Sequence, residues 1–407
     1  MPRSRNILLL FFTLVVVMMG FGMVIPILPF YVDSFGAGGS ELGLLMATYA
    51  IMQFLFAPLW GNLSDRYGRK PILVLGVLGN ALAQLLFGLS SALWMLFVAR
   101  VLAGVLSSAT LPTAMAFVGD STAEEDRGGG MGILGAAMGV GMVLGPGLGG
   151  VLARASLSLP FFLAAGLSLV ALLLILILLP ESLPASARAG STGRPRGPQL
   201  GVLWRALLGP LGVLCLLSFL LSFGLTNFEG VFGLYALERY GYGPEQVGGI
   251  LMLIGLVSAV AQGALTGPLS RRWGEVALVR GSLLLSAVGF LLMPLAETLA
   301  GVVATVCFFV LGNALLRPAV SSLMSRRAAT GQGVAMGLNN AFMSLGRIIG
   351  PTWAGFLFDV NMNYPYLSGA AIMLVGFAIS LVWLSGRVGV PAEPLEAAGN
   401  PGPLGGR

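Results

Sequence analysis

The sequence has no histidine, only two cysteines and few charged residues, and each of these shortages excludes a class of protein. Without histidine, any proton transfer within the chain must use carboxylates. Cys215 and Cys307 each lie inside an apolar run, so we predict neither a disulfide nor a metal site. Charged residues make up 9% of the 407 residues, against about 25% in soluble domains. A soluble fold could not hide so much apolar surface, so the composition indicates a membrane protein.

What the sequence has instead is a series of long apolar runs. A membrane-spanning helix needs roughly 20 mostly apolar residues, and 57% of the chain is hydrophobic. The first run is too long for a signal peptide and is not followed by a small-residue cleavage site, so we interpret it as a spanning helix. The runs predict twelve spans, at residues 7–32, 42–61, 72–90, 92–118, 129–153, 158–179, 209–237, 246–268, 277–295, 298–323, 332–358 and 364–386.

Changes in composition divide the chain into four parts. The sixth and seventh spans are separated by PASARAGSTGRPRGPQL, which is rich in Pro, Gly, Ser and Arg and typical of a polar linker. The last residues are rich in Pro and Gly, which is typical of disorder. We therefore predict an N-terminal six-helix bundle at residues 1–183, a cytoplasmic linker at 184–206, a C-terminal six-helix bundle at 207–388 and a disordered cytoplasmic tail at 389–407.

Basic residues fall mostly on one side of the predicted spans. Most Lys and Arg residues lie near the termini, in the linker or in loops on that same side, and only Arg154 and Arg239 fall in loops on the other side. Because cytoplasmic loops carry an excess of Lys and Arg, both termini are predicted to be cytoplasmic, in a cell (inner) membrane protein. The net charge of +6 therefore reports topology, and no nucleic-acid partner is predicted.

The two halves of the chain repeat each other. GNLSDRYG at residues 61–68 returns as GPLSRRWG at residues 267–274. Two further matches keep nearly the same spacing, Pro112 with Pro318 and Gly145-Pro146 with Gly350-Pro351. A duplication of six helices in one orientation predicts two bundles related by a pseudo-twofold axis along the membrane normal. Transporters built in this way hold their substrate between the halves, near the middle of the membrane.

Motifs in these runs resemble the major facilitator superfamily, and within it the twelve-helix, proton-coupled drug antiporters. The first span carries GFGMVIPILP, the loop after the second reads GNLSDRYGRK, the fourth carries FVARVLAGV, and the fifth carries GMVLGPGLGG at 141–150. In the C-terminal half, SFGLTNFEGVFGLY at 222–235 and GLNNAFMSLGRIIGP at 337–351 look like the multidrug exporters of the NorA and Bmr type.

The resemblance implies both a fold and a function. The fold is an all-α membrane protein with the major facilitator fold, in which twelve transmembrane helices form two six-helix bundles with pseudo-twofold symmetry. The function is proton-coupled multidrug efflux by alternating access. Its partners are protons, the lipid bilayer and a small amphipathic drug-like substrate, and the working unit is a monomer. Such a transporter is driven by the proton gradient, needs no cofactor and is not an enzyme.

Glu229 and Arg100 are the candidate proton-coupling residues. Glu229 lies within the seventh span, where a charge costs roughly 2.5–3.5 kcal/mol, so we expect it to face a cavity or a partner. The resemblance implies that both residues couple transport to protons. It also implies a second acid in the tenth span, which is missing here because Asn313 and Ala314 stand nearby. The alternatives are a structural ion pair for Glu229 and helix packing for Arg100.

Arg347 departs from the pumps that this chain resembles, which have a neutral polar residue in the middle of the eleventh span. It could pair with Glu229, or it could favour an anionic or zwitterionic substrate, and the sequence leaves both possibilities open. Arg317 lies nearer the cytoplasmic end of the tenth span, from which a long side chain can reach the membrane surface. Asp33 and Asp359 lie at outer helix ends and are expected to be solvated.

Three groups of residues are predicted to serve transport. A promiscuous cavity combines amides with adaptable Met and aromatic side chains, and its predicted lining is Gln53, Asn227, Phe228, Phe232, Gln262, Asn313, Asn340, Met343 and Arg347. A conformational latch in the loop after the second span needs glycine turns and paired charges, and consists of Gly61, Asp65, Arg66, Gly68 and Arg69. The helix-5 antiporter motif combines small residues with a bend, and consists of Gly141, Gly145, Pro146, Gly149 and Gly150.

Two rival functions stay open on the sequence alone. The first is an exporter or uniporter of the same fold for a specific metabolite, sugar or lipid-linked substrate, which Arg347 and the missing second acid favour. The second is an integral membrane enzyme, for which the sequence offers one dense acidic cluster, expected to be a solvated turn: Asp120, Glu124, Glu125 and Asp126. No phosphate-binding glycine loop is present in the sequence, so transport driven by ATP is not predicted.

Overall fold

A computed structural model of the protein describes residues 3–123, 125–184, 200–209, 211–327 and 332–384. The predicted disordered tail, most of the predicted linker and Glu124 lie outside these residues. Within the described part of the chain every regular element is a helix. One of them, Leu200–Leu208, belongs to the linker region and is called the linker helix.

Six long helices form the N-terminal half and six form the C-terminal half. The first six are α1 (Arg3–Ser34), α2 (Gly39–Tyr67), α3 (Arg69–Gly88), α4 (Leu93–Ser121), α5 (Arg127–Ala153) and α6 (Leu159–Leu178). The second six are α7 (Gly212–Tyr240), α8 (Pro244–Trp273), α9 (Glu275–Leu295), α10 (Leu299–Arg326), α11 (Gln332–Val360) and α12 (Tyr364–Trp383). These helices confirm the predicted two-bundle arrangement.

Eleven of the twelve helices described are long and apolar enough to cross a membrane. The exception is α11, which has 29 residues but is interrupted by Asn339, Asn340 and Arg347. A polar helix of spanning length must turn its polar side chains away from lipid, toward protein or water. The polarity of α11 therefore indicates that one of its faces borders a cavity.

Two glycines with left-handed backbone carry the repeated loop motif. Gly68 ends α2 with φ of 105° and Gly274 ends α8 with φ of 79°, and the next helix begins at the following residue in both cases. Only glycine adopts such a φ without a steric cost. Each glycine therefore reverses the chain within one residue, which makes the flanking helices antiparallel neighbours.

Small residues let one helix pair approach closely within each half. In the N-terminal half, Gly141, Gly145 and Gly149 lie four residues apart on α5, and a methyl group on Gly145 would lie 2.6 Å from the carbonyl oxygen of Met19 in α1. In the C-terminal half, a methyl group on Gly346 of α11 would lie 2.5 Å from the carbonyl oxygen of Phe219 in α7. Glycines on one face allow such backbone contact. The fifth helix of each half thus packs closely on the first helix of that half, so the repeat in the sequence corresponds to a repeated helix contact.

Within the described part of the chain, the two halves pack against each other toward one end of the helices. We call the side that holds the start of α1 and the linker helix the linker side, and the opposite side the far side. On the far side, a methyl group on Gly39 of α2 would lie 2.8 Å from the carbonyl oxygen of Gly355 in α11. Similarly, a methyl group on Gly150 of α5 would lie 2.5 Å from the carbonyl oxygen of Pro244 in α8. The far side is therefore closed by direct backbone contact.

Toward the linker side the same helices separate. No atom lies within 4 Å of a methyl group placed on Gly135 or Gly139 of α5, or on Gly263 of α8, although further along these helices pack together. The same holds for Gly337, in the first turns of α11. In α8 the separation coincides with a π-helical turn at Ala261–Leu265, and such turns bend helices. The structure is splayed at the linker side and sealed at the far side.

Candidate substrate cavity

A cavity of about 590 Å³ lies between the halves, in the space that the splayed helices leave. That volume is in the range that holds a drug-sized ligand. We call it the central cavity. Its walls come from α1, α2, α3 and α4 of the N-terminal half and from α10 and α11 of the C-terminal half, and no residue of α7 lines it. The polar face of α11 therefore borders this cavity.

One wall of the central cavity is apolar and built from the N-terminal half. It consists of Val17, Met18, Phe21, Val24, Phe54, Phe87, Leu111 and Met115. The ring of Phe21 lies 5.1 Å from that of Tyr49, centroid to centroid, which fixes the aromatic part of this wall. Aromatic and Met side chains accept varied shapes without losing contact area.

Arg100 of α4 lies at the base of this apolar wall and is 3% exposed. Its guanidinium carbon lies 5.7 Å from the ring centroids of both Tyr49 and Phe87. Such cation–π contacts stabilise the faces of the guanidinium, but they leave its N–H groups without acceptors. No hydrogen bond or ion pair of Arg100 occurs in the described chain, and its Nε is buried without a partner. Gln53, four residues after Tyr49, donates a hydrogen bond to the Tyr49 hydroxyl at 3.2 Å.

Two further arginines line the central cavity from the C-terminal half. Arg347 of α11 donates one hydrogen bond, from its terminal nitrogen to the Ser344 hydroxyl at 2.8 Å, and its Nε is buried without a partner. Arg317 of α10 faces the same cavity, and its side chain has no hydrogen bond or ion pair to another described residue. The pairing of Arg347 with Glu229, which the sequence left open, does not occur among the ion pairs of the described residues.

Glu229 lies outside the central cavity, between the halves. On the same side of α7, Thr226 donates a hydrogen bond to the carbonyl oxygen of Gly346 in α11 at 3.2 Å. One turn beyond Glu229, Gly233 packs against Pro29 of α1. Residues three and four apart share a helix face, so Glu229 stands where α7 meets α1 and α11. It is half-buried, and among the described residues its carboxylate has no hydrogen-bond or ion-pair partner.

Several predicted lining residues lie away from the central cavity, most of them because their side chains pack inside the protein. Asn227 donates a hydrogen bond to the carbonyl oxygen of Pro365 in α12 at 3.0 Å, and Asn313 donates one to that of Leu221 at 3.1 Å. The remaining displaced residues are Phe228 and Phe232, whose rings lie 4.7 Å apart inside the C-terminal half, Met343, which is buried beside Asn339, and Gln262, which is exposed on α8. Of the predicted lining, the structure brings Gln53, Asn340 and Arg347 to the central cavity, together with Arg100.

The predicted latch residues are partly joined in one network at the linker side. Arg69 forms ion pairs with Asp65 at 2.5 Å and with Asp120 at 2.8 Å. The expectation of a solvated turn is therefore wrong for Asp120. The start of α3 is capped by Glu181, whose carboxylate accepts a hydrogen bond from the backbone N–H of Arg69 at 2.8 Å. Arg66 is exposed and lies outside this network.

The sequence does not reveal three functional candidates, because only their contacts in the folded structure distinguish them. Tyr49 and Ser344 contact the cavity arginines, but each is an ordinary residue of an apolar run. Glu181 follows the last turn of α6, and nothing in the local sequence links it to the start of α3. The four-residue spacing of Tyr49 and Gln53 was the one available hint, since it places both on one helix face.

Comparison with known proteins agrees with this architecture. The family model of the Major Facilitator Superfamily matches residues 10–351 and 265–406. Multidrug resistance protein 1 of Bacillus subtilis (strain 168) is 33% identical over 385 residues, which cover 94% of this chain and 97% of that protein. Multidrug resistance protein 2 of the same strain is 32% identical, with 90% and 92% covered. Quinolone resistance protein NorA of Staphylococcus aureus (strain COL) is 29% identical, with 93% and 96% covered.

Solved structures share the fold. A bacterial homolog of the human lysosomal transporter Spinster, in an inward-facing and occupied conformation, is 14% identical with a TM-score of 0.81 over 94% of this chain and 97% of that one. The human organic anion transporter MFSD10 is 25% identical with a TM-score of 0.64 over 93% and 100%. Helices, repeat, family model and relatives agree, and the chain belongs to the major facilitator superfamily, as a membrane-spanning member related to multidrug resistance proteins.

Proposed function

We propose that this protein exports amphipathic small molecules in exchange for protons, by alternating access, as a monomer in the cell (inner) membrane. The observation that carries the proposal is the central cavity, which lies between two pseudo-symmetric halves that touch at the far side and separate at the linker side. A site held between two such halves can be exposed to one side at a time if the halves rock about it.

The linker side corresponds to the cytoplasm in this proposal. Most Lys and Arg residues lie on that side, and the far-side loops hold only Arg154 and Arg239. Basic loops are retained in the cytoplasm, so both termini are cytoplasmic. A cavity that opens to the cytoplasm loads its cargo from inside the cell or from the inner leaflet, as an exporter must.

Glu229 is the group that we expect to carry the proton. Within the described spans, it is the acidic residue nearest the middle of a helix, and it stands between the halves with no partner. A carboxylate in such a place is stable when protonated and unstable when charged, unless water or a cation reaches it. Rocking of the halves would alternate its access to water, and so would link its protonation to the conformation. Arg100 is proposed as the second coupling residue, through the charge that it brings to the central cavity from the N-terminal half.

The cargo is proposed to be drug-like because of the apolar wall and the named relatives. Apolar lining residues such as Phe21, Phe54 and Met115 offer adaptable contacts and few directed hydrogen bonds. Proteins named for multidrug and quinolone resistance cover nearly the whole chain. A second candidate, export of a specific organic anion, is favoured by the three cavity arginines and by the likeness to the human organic anion transporter.

Substrate-driven proton release from liposomes tests the coupling. Purified protein is reconstituted around an internal pH-sensitive dye, and a quinolone or another amphipathic substrate is added outside. The wild-type protein should release protons as substrate enters, whereas Glu229→Gln should lose this release but still exchange substrate. Glu297→Gln, which neutralises an exposed carboxylate at the far side, is the matched control. Equal proton release per substrate in wild type and Glu229→Gln would show that the coupling proposal is wrong.

A further inference from the structure

The polar side of the central cavity is positively charged and has no acid to balance it. Arg100, Arg317 and Arg347 all line the cavity, and none of its lining residues is Asp or Glu. Among the described residues, none of the three arginines forms an ion pair with a carboxylate. Arginines inside membrane proteins normally pair with acids or with backbone carbonyls, so this cluster lacks its counter-charge.

The missing partner is most evident at Arg100 and Arg347. Arg100 is 3% exposed, and in both residues the Nε donor is buried without an acceptor. A buried donor without a partner destabilises a protein, and a buried charge without one does so more strongly. The cation–π contacts of Arg100 leave its N–H donors unused. A ligand that brings an anionic acceptor into the cavity would satisfy these donors and balance their charge.

Topology does not account for these charges. Basic residues that set orientation lie in loops and at helix ends, whereas Arg347 is the sixteenth residue of the 29-residue helix α11 and Arg100 is the eighth residue of α4. The side chain of Arg347 also turns toward Ser344 and the cavity and not toward a helix end. Arg100 and Arg347 are therefore placed to charge the cavity and not to set the orientation of the chain in the membrane.

We propose that the central cavity binds amphipathic organic anions. A carboxylate or sulfonate headgroup would accept hydrogen bonds from Arg347 and Arg317, with the Arg100 charge facing it from the N-terminal half. The apolar part of the ligand would pack against Phe21 and Phe54. The inference names the cargo class of the proposed exporter and therefore rests on that proposal.

The placement of the arginines also links binding to movement. Arg100 belongs to the N-terminal half, whereas Arg317 and Arg347 belong to the C-terminal half. Closure of the linker side would bring like charges together in a medium of low dielectric constant, where their repulsion is strong. An anion between them replaces repulsion by attraction. The loaded cavity can then close, whereas a cation would add to the charge that opposes closure.

Three dyes with one ring system and different net charges separate the possibilities. Sulforhodamine B is anionic, rhodamine B is zwitterionic and the ethyl ester of rhodamine B is cationic. Their binding to detergent-solubilised protein is measured by fluorescence polarisation. We expect sulforhodamine B to bind at least about tenfold more tightly than the ester, since a charged hydrogen bond contributes that much. Equal or tighter binding of the ester would overturn the proposal.

Variants of the cavity arginines test whether these residues cause the preference for the anionic dye. Arg347→Gln should weaken binding of sulforhodamine B by about tenfold and leave binding of the ester unchanged or stronger, whereas Arg347→Lys should retain most of the preference. Arg317→Gln should act in the same direction, and its exposed position makes it tolerant of the change. Arg272→Gln, an exposed arginine outside the cavity, is the matched control. An unchanged preference in both cavity variants would contradict the assignment.

Binding and coupling fail in distinguishable ways. If sulforhodamine B binds through Arg347 but no substrate releases protons from liposomes, the anion site stands and proton-coupled export is wrong. If substrates release protons but the ester is preferred, export stands and the anion site is wrong.

Discussion

The carboxylate of Asp359, near the end of α11, accepts a hydrogen bond from the backbone N–H of Gly39, the first residue of α2, at 2.7 Å. The backbone N–H of Ser40 donates to the other carboxylate oxygen at 2.9 Å, and the Ser40 hydroxyl donates to it as well. A helix N-terminus carries partial positive charge and free N–H groups. Asp359 of the C-terminal half therefore caps a helix of the N-terminal half, and it is not the freely solvated acid that the sequence suggested.

Asp359→Asn is expected to open the far side. The amide keeps the size of the side chain but loses the charge that interacts with the start of α2, an interaction worth about 1–2 kcal/mol in a favourable geometry. The closed far side should lose about 5- to 30-fold in population relative to the open one. Spin labels at Ala155 and Glu297, in a background without cysteines, would report a longer distance between the halves.

The control for this variant is Asp33→Asn. Asp33 is an exposed acid at the far-side end of α1, and its side chain has no hydrogen bond to another described residue. The same change of charge there should leave the distance unchanged. A shift of equal size in both variants would mean that net charge, and not the cap on α2, holds the far side closed.

Gly355→Ala is expected to prevent far-side closure by a different route. A methyl group on Gly355 would overlap the carbonyl oxygen of Gly39, and neither backbone can move without displacing its helix. Overpacking of this kind costs about 1–3 kcal/mol. The variant should show the longer spin-label distance and slower substrate transport, whereas Gly135→Ala, which faces open space, should behave as wild type. If the far side of Gly355→Ala closes normally, the two helices have room for the added methyl group and the prediction is wrong.

The fold could be predicted from the sequence because its signals are local. The length of the apolar runs gives the spans, and the repeated GNLSDRYG motif gives the two halves, each with a left-handed glycine at Gly68 or Gly274. The contacts of Gly145 and Gly350 follow from the same repeat, since each packs on the first helix of its own half.

The cavity could be predicted only in part. An amide in a membrane helix can face a cavity or a neighbouring carbonyl, and the sequence does not distinguish the two. Asn340 faces the cavity, whereas Asn313 bonds the backbone of α7. Similarly, the ring of Phe228 packs against that of Phe309 inside the C-terminal half, with 5.4 Å between the ring centroids. Which face of a helix meets a cavity depends on the tilt of the helices, and tilt is set by contacts distant in sequence.

Asn313→Ala should therefore change stability and not substrate binding. Asn313 is 3% exposed, and alanine removes its hydrogen bond to the carbonyl oxygen of Leu221, at a cost of about 0.5–1.5 kcal/mol. Thermal unfolding should occur several degrees lower while dye affinity stays within about twofold. Gln53→Ala, which removes a cavity side chain, should show the reverse pattern. Weaker dye binding in Asn313→Ala at unchanged stability would place Asn313 in the cavity after all.

An ion pair at the linker side occurs in both halves with its charges exchanged. Arg69 at the start of α3 pairs with Asp120 near the end of α4, at 2.8 Å. In the C-terminal half, Glu275 at the start of α9 pairs with Arg326 at the end of α10, at 3.2 Å. The repeat has kept an attraction between the third and fourth helices of each half, although neither residue type is the same.

The two pairs should differ in strength because they differ in burial. The side chain of Arg69 is 8% exposed and also pairs with Asp65. In the second pair Glu275 is 10% exposed, but the side chain of Arg326 is 74% exposed, so water reaches the pair from the arginine side. Double-mutant cycles with Arg69→Met and Asp120→Asn should give a coupling of about 1.5–3 kcal/mol. Cycles with Glu275→Gln and Arg326→Met should give about 0.2–1 kcal/mol. Unfolding in denaturing detergent measures both, and added salt should weaken only the second, since water and ions reach it. Equal couplings with equal salt dependence would mean that burial does not set the strength of these pairs.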